Sequence, residues 1–429
     1  MNDLKGHALC LTLMGSYLLK AHAGDIRKRK LVKLEKADRD HHAFHIMAAY
    51  EQWLLRDGGD EGRREVAVLR LMGLFDRPAD AGCLAALRRE TIPGLAEPLA
   101  GMADDDWEFC LSGLEAAKLL TVNRQDSHGA GALGALDAHP HLREYFAKQL
   151  REQNPAAWRA AHRRLYEHLC KHKEGDQPTL EALQPLYQAV AHGCQAGLQQ
   201  EADEKVYYAR ITRGEEKYAM RKLGAFGSEL GALACFFEKP WSLVSSVFPE
   251  EIQAWYPNQA GFCLRALGRL TEALEPLRAG LPIELKREDW NNAARRVSSL
   301  SELELTLGAV AGAVGDAEQS VTYADRGGDP FQRMGNRTTH PDALHPAGRR
   351  AEAETRFREA EQMPAERQPD YPLLYSTGGF WYCDLLLAAP ERAAGQICLE
   401  SRLQAAGARG GSERCGKSQR PCQFGRSTG

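Results

Sequence analysis

Small and apolar residues recur at a fixed interval between Leu264 and Ala360. Three glycines lie 40 residues apart, and similar residue types follow each of them five, nine and twelve positions later. The three sets are Gly268, Ala273, Leu277 and Gly280; Gly308, Ala313, Ala317 and Ser320; and Gly348, Ala353, Phe357 and Ala360. Positions five, nine and twelve share one stripe of an α-helix. A turn glycine followed by such a stripe, repeated at a fixed period, predicts an array of helical hairpins.

Helical spacing of apolar residues also predicts the elements of the N-terminal half. Between residues 63 and 152, three predicted helices precede two short strands, and a further helix closes the segment. These elements are expected at 65–75, from Pro78 onward, and at 104–118, 119–122, 135–138 and 141–151. Three helices followed by a β-hairpin is the plan of a winged helix. We therefore expect a winged-helix-like domain over 63–152.

The chain after Pro155 has a helical pattern throughout, including one long helix expected over 217–237. A fourth repeat is predicted to start at 371–388, with Ala388 where the glycine belongs. The period fails after Ala394, and the last 35 residues contain seven glycines and six Lys or Arg residues. Helical arrays normally end in a capping unit. We therefore expect residues 395–429 to form a disordered or non-native tail.

The predicted fold class is mainly α, in four parts. The parts are a helical segment (1–62), the winged-helix-like domain with its small β-hairpin (63–152), a helical repeat array or α-solenoid (155–394) and the tail (395–429). An array of this kind binds other macromolecules along its surface and does not by itself carry out chemistry.

Composition and charge narrow the class of protein. The chain is 43% hydrophobic and 26% charged, as in ordinary globular proteins, and its net charge of −3 gives no general attraction to nucleic acid or anionic lipid. No apolar run reaches the length of a membrane span. The 11 cysteines include no CxxC pair, which is typical of reduced cysteines. We expect a cytoplasmic protein.

A phosphate-binding motif occurs in the tail. Residues 411–418 (GSERCGKS) match the P-loop pattern. A functional P-loop needs a buried strand before it and a helix after it, because the loop amides and the helix N-terminus hold the phosphates. Neither 402–410 nor 419–429 has such a pattern, so we interpret the match as coincidence.

Several histidines have a spacing that metal sites use. His168 and His172 are four residues apart on a predicted helix, and His162 precedes them. A zinc site needs further ligands, and the surrounding sequence RRLYEHLCKHK is that of an exposed polar face. The group His41, His42 and His45 has the same interpretation. We predict no metal site, and since no catalytic constellation occurs, no enzymatic activity.

A winged helix raises the question of DNA binding. The third predicted helix would enter the groove, yet it begins with Asp104, Asp105 and Asp106. Phosphates would repel that acidic start. We therefore expect the domain to contact protein and consider nucleic acid an unfavoured partner.

The order of these parts resembles a family of signalling proteins. Residues 6–11 (GHALCL) resemble the Gly-Leu-Pro-Leu-Ala-Leu segment that follows the nucleotide-binding core in NB-ARC and related STAND-type ATPases, with Ala8 in place of the proline. Residues 137–146 are similar to the Met-His-Asp segment that ends the family's winged helix. There His139 matches the histidine that contacts the nucleotide phosphates, and Pro140 replaces the aspartate. The array at 155–394 resembles the tetratricopeptide (TPR) arrays of bacterial members.

The resemblance implies a regulatory and sensor region rather than a whole ATPase. In the family, the nucleotide-binding core lies upstream of the segment that begins here at residue 6, so we expect this chain to lack that core. No cofactor is then expected, and ADP or ATP would bind only if a core were supplied in cis or in trans. His139 would be a relic of that nucleotide contact.

The leading hypothesis is a non-enzymatic protein that binds a protein or peptide through its TPR-like repeats. The binding residues would come mainly from the first helix of each hairpin, and the candidates are Gln259, Arg265, Asn336 and Arg337. Two alternatives stay open. One is a nucleotide-dependent switch that is an ATPase when joined to a core, and the other is a winged-helix DNA-binding regulator.

Overall fold

The computed structural model describes residues 8–32, 42–125, 132–367, 369–370 and 372–413. Within these residues the chain is mainly α-helical, as predicted. It divides into two compact units: unit 1 is Met1–Pro240 with Val244–Phe248, and unit 2 is Trp241–Leu243 with Pro249–Gly429. This division falls inside the array predicted at 155–394, and the other predicted domain boundaries stay predictions.

Most elements of unit 1 are helices of one to four turns. The α-helices are α1 (Ala8–His22), α2 (His42–Asp57), α3 (Gly59–Met72), α4 (Ala81–Arg88), α5 (Asp104–Ala116), α6 (Pro140–Gln153), α7 (Pro155–Leu169), α8 (Leu180–Gln195), α9 (Gln199–Ala202), α10 (Tyr218–Arg221) and α11 (Phe226–Ala234). The strands are β1 (Ala79–Asp80), β2 (Thr121–Gln125), β3 (Ala132–Asp137) and β4 (Phe237–Lys239), and the chain then forms β5 (Leu243–Val244).

Several helices of unit 1 begin at a side chain that accepts a free backbone N–H. The carboxylate of Asp80 accepts from the Cys83 amide at 2.9 Å and caps α4. Asn154 caps α7 and Thr179 caps α8 in the same way. Such caps satisfy donors that have no partner inside the helix. The short polar residues of the sequence thus fix where these helices begin.

β3 is the middle strand of a small antiparallel sheet with the order β1-β3-β2. Leu136 on β3 lies opposite Ala79 on one side and Val122 on the other, and it is fully buried. The predicted order of three helices and a hairpin is therefore present in α3, α4, α5, β2 and β3. Strand β1 was not predicted, because two residues carry no readable alternation.

The single helix expected over 217–237 is wrong. The structure has α10 and α11 there, separated by a turn at Gly224, where φ is 61°, and followed by β4. A π-helix from Asp203 to Thr212 precedes them and ends at Arg213, whose φ is 54°. Left-handed backbone breaks a helix, so apolar spacing alone overestimated its length.

Unit 2 consists of helices joined by short turns. They are α12 (Glu250–Ala266), α13 (Leu270–Ala279), α14 (Leu281–Lys286), α15 (Trp290–Thr306), α16 (Val310–Gly327), α17 (Pro330–Leu344), α18 (Arg350–Arg367) and α19 (Ser376–Glu413). The pairs α12–α13, α15–α16 and α17–α18 pack as hairpins, and α15 and α17 also pack on each other. Unit 2 is thus a helical repeat region.

The three signature glycines occupy the turns within these hairpins. Gly268, Gly308 and Gly348 have φ values of 73°, 80° and 77°, a left-handed conformation that glycine adopts at little cost. The next N–H donates to a carbonyl five residues earlier in each turn. These bonds are Arg269 to Leu264 (2.9 Å), Ala309 to Glu304 (2.8 Å) and Arg349 to Leu344 (3.0 Å). All three are Schellman-type helix ends.

The same left-handed turn also occurs between hairpins, at half the predicted period. Glu288 has φ 57° and Gly328 has φ 73°, so left-handed turns follow one another every 20 residues from Gly268 to Gly348. The sequence period of 40 residues missed these turns, because one of the two lacks glycine.

The predicted stripe lines the core of each hairpin. Ala273, Ala313 and Ala353 are fully buried, and so are Ala317, Phe357, Ser320 and Ala360. Phe357 packs with Leu344, Ala353 and Leu385 in one cluster. Small residues at these positions let the two helices of a hairpin approach closely, as the repeat pattern required.

The predicted turn at Ala388 is wrong. Helix α19 continues without interruption from Ser376 to Glu413 and passes through Ala388. Alanine favours the helix and resists the left-handed turn that glycine makes in the earlier repeats. Residues 395–413, expected to be part of a disordered tail, therefore belong to a helix, and 414–429 lie outside the described residues. No helix in the described part of the chain is both long and apolar enough to cross a membrane.

Candidate functional site

A buried ion pair ties three helices of unit 2 together. The side chain of Arg296 on α15 is 1% exposed, and its guanidinium donates to both carboxylate oxygens of Glu284 at 2.6 and 2.8 Å. It also donates to the Ala254 carbonyl of α12 at 2.6 Å. A Cβ on Gly280 would lie 2.5 Å from this guanidinium, so a larger residue there would have to displace it. The pair thus links α12, α14 and α15.

Three neighbouring helices of unit 2 carry acidic side chains. Glu302 on α15 and Asp342 on α17 are 40 residues apart, and Asp384 follows on α19. We call these three side chains the carboxylate row. α15 packs on α17, and α17 packs on α19, so the row runs across three neighbouring helices. A repeat register turns one sequence position into a line along the surface.

The middle member of the row has an unusual pKa. Burial, together with the negative charges of Glu302 and Asp384, raises the pKa of Asp342 to about 7. Glu302 pairs with Arg265 at 3.1 Å, and His345 lies 3.6 Å from Asp384. No cation pairs with Asp342 among the residues that the structure describes. The row therefore presents one half-buried carboxyl group that lacks a positive partner.

The surroundings of the row combine apolar and polar groups. Phe262, one repeat before Glu302, is 52% exposed on α12. The hydroxyl groups of Ser298 and Thr339 are 2.9 Å apart and join α15 to α17. The carboxylate row was not predicted from the sequence, although the 40-residue spacing of Phe262, Glu302 and Asp342 is a signal that points to it.

The four predicted partner-binding residues do not form one surface. Gln259 and Asn336 are 5% and 2% exposed, so their side chains are part of the interior. Asn336 donates to the Gln332 carbonyl of its own helix at 2.8 Å. Arg265 and Arg337 are partly exposed, at 28% and 25%, and pair with Glu302 and Asp325. Arg265 lies beside the row through its pair with Glu302, and partner binding by the four residues stays a prediction.

His139 has a local structural role in unit 1. It is the N-cap residue of α6, where its Nδ1 accepts the His141 amide at 3.2 Å, and the two rings stack with centroids 5.4 Å apart. The predicted nucleotide contact of His139 stays a prediction. Of residues 6–11, which carry the other part of the resemblance, Ala8–Leu11 lie in α1 and the first two are outside the described residues.

A pair of buried histidines joins α7 and α8 in unit 1. The Nδ1 atoms of His162 and His192 are 2.8 Å apart, and the Trp158 ring lies 4.2 Å from the His162 ring. Burial lowers the pKa of His162 to about 2 and that of His192 to about 4, so both rings are neutral at physiological pH. They line a cavity of about 710 Å³ together with Arg143. Their contact is a packing arrangement between the two helices.

The remaining candidate motifs have these locations. The Nε2 atom of His172 lies 2.9 Å from the Ala182 carbonyl, whereas His168 lies close to Asp80 and Cys83. His42 and His45 are in α2, and His41 is outside the described residues. The P-loop-like segment begins in α19 at Gly411–Glu413, and its other residues are not described.

Comparisons with known proteins give little support for a family. No protein-family model matches the chain, and no curated protein matches it. Among solved structures, the chain is similar to a Signal Transduction ATPase with Numerous Domains (STAND) protein with a tetratricopeptide repeat sensor from Pyrococcus horikoshii. The identity is 13%, the match covers 82% of this chain and 59% of that chain, and the TM-score is 0.27. This chain thus spans less than two thirds of that protein.

The TM-score is too low to establish a shared fold. The assignment to the STAND family stays a prediction.

Proposed function

We propose that unit 2 is a TPR-type interaction module that binds an extended, basic segment of a partner protein along the carboxylate row. The observation that carries this proposal is Asp342, a half-buried carboxyl group between Glu302 and Asp384 with its pKa raised to about 7. Like charges at close range destabilise one another. A cationic side chain placed beside Asp342 would relieve that repulsion.

The chemistry of the row favours lysine or arginine on the partner. A cation that approaches a carboxyl group lowers its pKa, so binding would release the proton from Asp342 and strengthen as the pH rises from about 6 to 8. Arg265 neutralises Glu302 at one end of the row, and Phe262 offers an apolar surface beyond it. A segment with a basic residue followed by an apolar one would match both groups.

The experiment is a fluorescence-anisotropy titration of the full chain with a labelled ten-residue peptide of alternating lysine and serine. A peptide with glutamate in place of lysine is the comparison probe. We expect the lysine peptide to bind more tightly, and Asp342→Asn or Glu302→Gln to weaken it by roughly 10-fold, about 1.4 kcal/mol. Glu275→Gln is the matched control, because Glu275 is exposed on the second helix α13.

Equal binding of the two peptides would overturn the proposal. An equal loss in Asp342→Asn and Glu275→Gln would also overturn it, since the attraction would then be a general charge effect. Salt weakens the binding of a charged peptide whether the attraction is specific or general, so all titrations are made at one ionic strength.

The remaining assignments are also our proposals. We infer a non-enzymatic protein in which α3–α5, β2 and β3 form a winged helix that packs on protein. A nucleotide contact at His139 would require a nucleotide-binding core supplied in cis or in trans.

Calorimetric titration of this chain with ADP and ATP tests whether such a core is required. Clear binding by this chain alone would favour a nucleotide switch.

The DNA-binding alternative has a specific observation against it. Asp104 at the start of α5 has a side chain that is 98% exposed, and Asp106 is 57% exposed. A groove-facing helix with such a start would meet phosphates of the same charge. A gel shift that persisted at about 150 mM salt would nevertheless favour DNA binding.

A further inference from the structure

Three side chains of different chemistry meet in unit 1 between α4 and α7. They are Asp80 at the N-cap of α4, Cys83 in its first turn, and His168 near the end of α7. The carboxylate, thiol and imidazole atoms all lie within 4.8 Å of one another. The spacing of Asp80 and Cys83 results from the helix cap, since the Asp80 carboxylate accepts the Cys83 amide at 2.9 Å.

This combination of ligands suits a particular metal. Thiolate, imidazole and carboxylate together are typical of Zn²⁺, which binds them tetrahedrally at about 2.0–2.3 Å. Ligand atoms around such an ion are about 3.3–3.6 Å apart. A closure of roughly 1 Å, within the reach of side-chain rotation, would bring these three atoms to that spacing.

The fold leaves space at this point. Gly82 lies between the cap and the histidine, where a Cβ would be 3.1 Å from an Asp80 oxygen and 3.3 Å from His168 Nε2. Because Gly82 has no Cβ, the space beside these two ligand atoms stays open. A cavity of about 670 Å³, lined by His168 and Glu167 among others, opens beside it. This opening leaves room for a water molecule as a fourth ligand.

Zn²⁺ binds cysteine as the thiolate, so a bound ion would displace the proton of the Cys83 thiol to the solvent.

We propose that Asp80, Cys83 and His168 bind a zinc ion that links the start of α4 to α7. The three protein ligands leave one coordination position open. The ion would brace α4 against the hairpin of α7 and α8. This proposal is independent of the proposed partner binding, which concerns unit 2.

The experiment is a Co²⁺ titration of the reduced, chelator-treated full chain, followed by competition with Zn²⁺. We expect one equivalent of Co²⁺ to give the intense visible bands of tetrahedral cobalt and a thiolate charge-transfer band, both removed by Zn²⁺. Cys83→Ser and His168→Gln should weaken binding by ~100-fold or more. Asp80→Asn keeps a capping oxygen and should weaken it by ~10-fold. Cys110→Ser, at another buried thiol, is the matched control and should bind normally.

A second measurement covers variants that fail to fold. Zn²⁺ should slow alkylation of Cys83 in the wild-type chain, mapped by mass spectrometry, without slowing that of Cys110, and should raise the unfolding temperature by several degrees. The absence of tetrahedral bands in the wild-type chain would overturn the proposal. Unchanged bands in Cys83→Ser, or equal protection of both cysteines, would also overturn it, because the metal would then bind elsewhere.

Discussion

A histidine pair in unit 1 and an ion pair in unit 2 are buried in opposite ways. Unit 1 keeps His162 and His192 in contact with each other and neutral, since burial lowers the pKa of each ring. Unit 2 keeps the Arg296–Glu284 ion pair, in which the guanidinium donates four hydrogen bonds. It also half-buries the carboxyl group of Asp342. The difference lies in whether burial is met by neutralising the group or by supplying partners for its charge.

This difference gives the groups opposite responses to pH. A histidine with a lowered pKa binds its proton more readily when unfolded, so its stabilising contribution is present above about pH 6.5 and is lost on acidification. A carboxyl group with a raised pKa binds its proton more readily when folded. Its contribution is greatest near pH 4 and is lost as the pH rises towards 7.

Removing the guanidinium of Arg296 should have the largest effect. Arg296→Met leaves the Glu284 carboxyl group buried without its cation, and such a loss typically costs about 3–5 kcal/mol. Urea denaturation measures the change. Arg269→Met is the control, because Arg269 makes a similar two-bond contact with Glu272 at the surface and should change nothing measurable. Similar effects of both variants would mean that burial does not distinguish the two pairs.

Acidification should destabilise the histidine pair. Between pH 6.5 and 5.5, two histidines that protonate only in the unfolded chain remove about 2 kcal/mol of stability. Amide exchange of α7 and α8 along a urea series, corrected for the intrinsic effect of pH, measures this loss. His192→Gln keeps a hydrogen-bonding group beside His162 and should halve the loss. His141→Gln, at a partly exposed ring, should not change it. An unchanged slope in His192→Gln would contradict the assignment.

Replacing Asp342 should have the smallest and opposite effect. Asp342→Asn removes a carboxyl group that loses its proton only near pH 7 in the folded chain, so we expect stability at pH 8 to rise by about 1 kcal/mol after allowing for partial exposure. The gain should vanish near pH 4. Exchange of α17 measures it.

Asp325→Asn is the control with the reverse sign. Asp325 pairs with Arg333 and Arg337, which together hold its pKa below the usual range against the effect of burial. Its removal should therefore destabilise the chain at pH 8. If both aspartate variants lost stability, the carboxylate row would be better satisfied than its geometry indicates.

Much of the helical architecture could be predicted from local sequence. The order of α3, α4, α5 and the hairpin follows from apolar spacing, and α4 also begins at a capping residue, Asp80. The candidate sites were less accessible. Gln259 and Asn336 are polar, yet both are buried, because the face that a repeat helix turns inward depends on its neighbours. Asp342 lies in the sequence at the right spacing, but its burial and its proximity to Glu302 and Asp384, which together raise its pKa, come from the tertiary structure.

The turns show the limit most directly. A glycine at 268, 308 or 348 makes a left-handed helix end inexpensive, and the sequence alone therefore placed those turns. At Ala388 the pattern suggested another turn, but the helix continues through that residue. At Glu288 the residue type does not predict the left-handed turn that the chain makes there.

The period of the repeats, the small residues between paired helices and the positions of the glycine turns can be read from the residues alone, because these features depend on backbone sterics and on spacing along one helix. Which side chains meet across helices follows from the packing of the helices. Cys83 and His168 are 85 residues apart, and Glu284 faces Arg296 from another helix. Such encounters depend on how the helices pack, which no local pattern encodes.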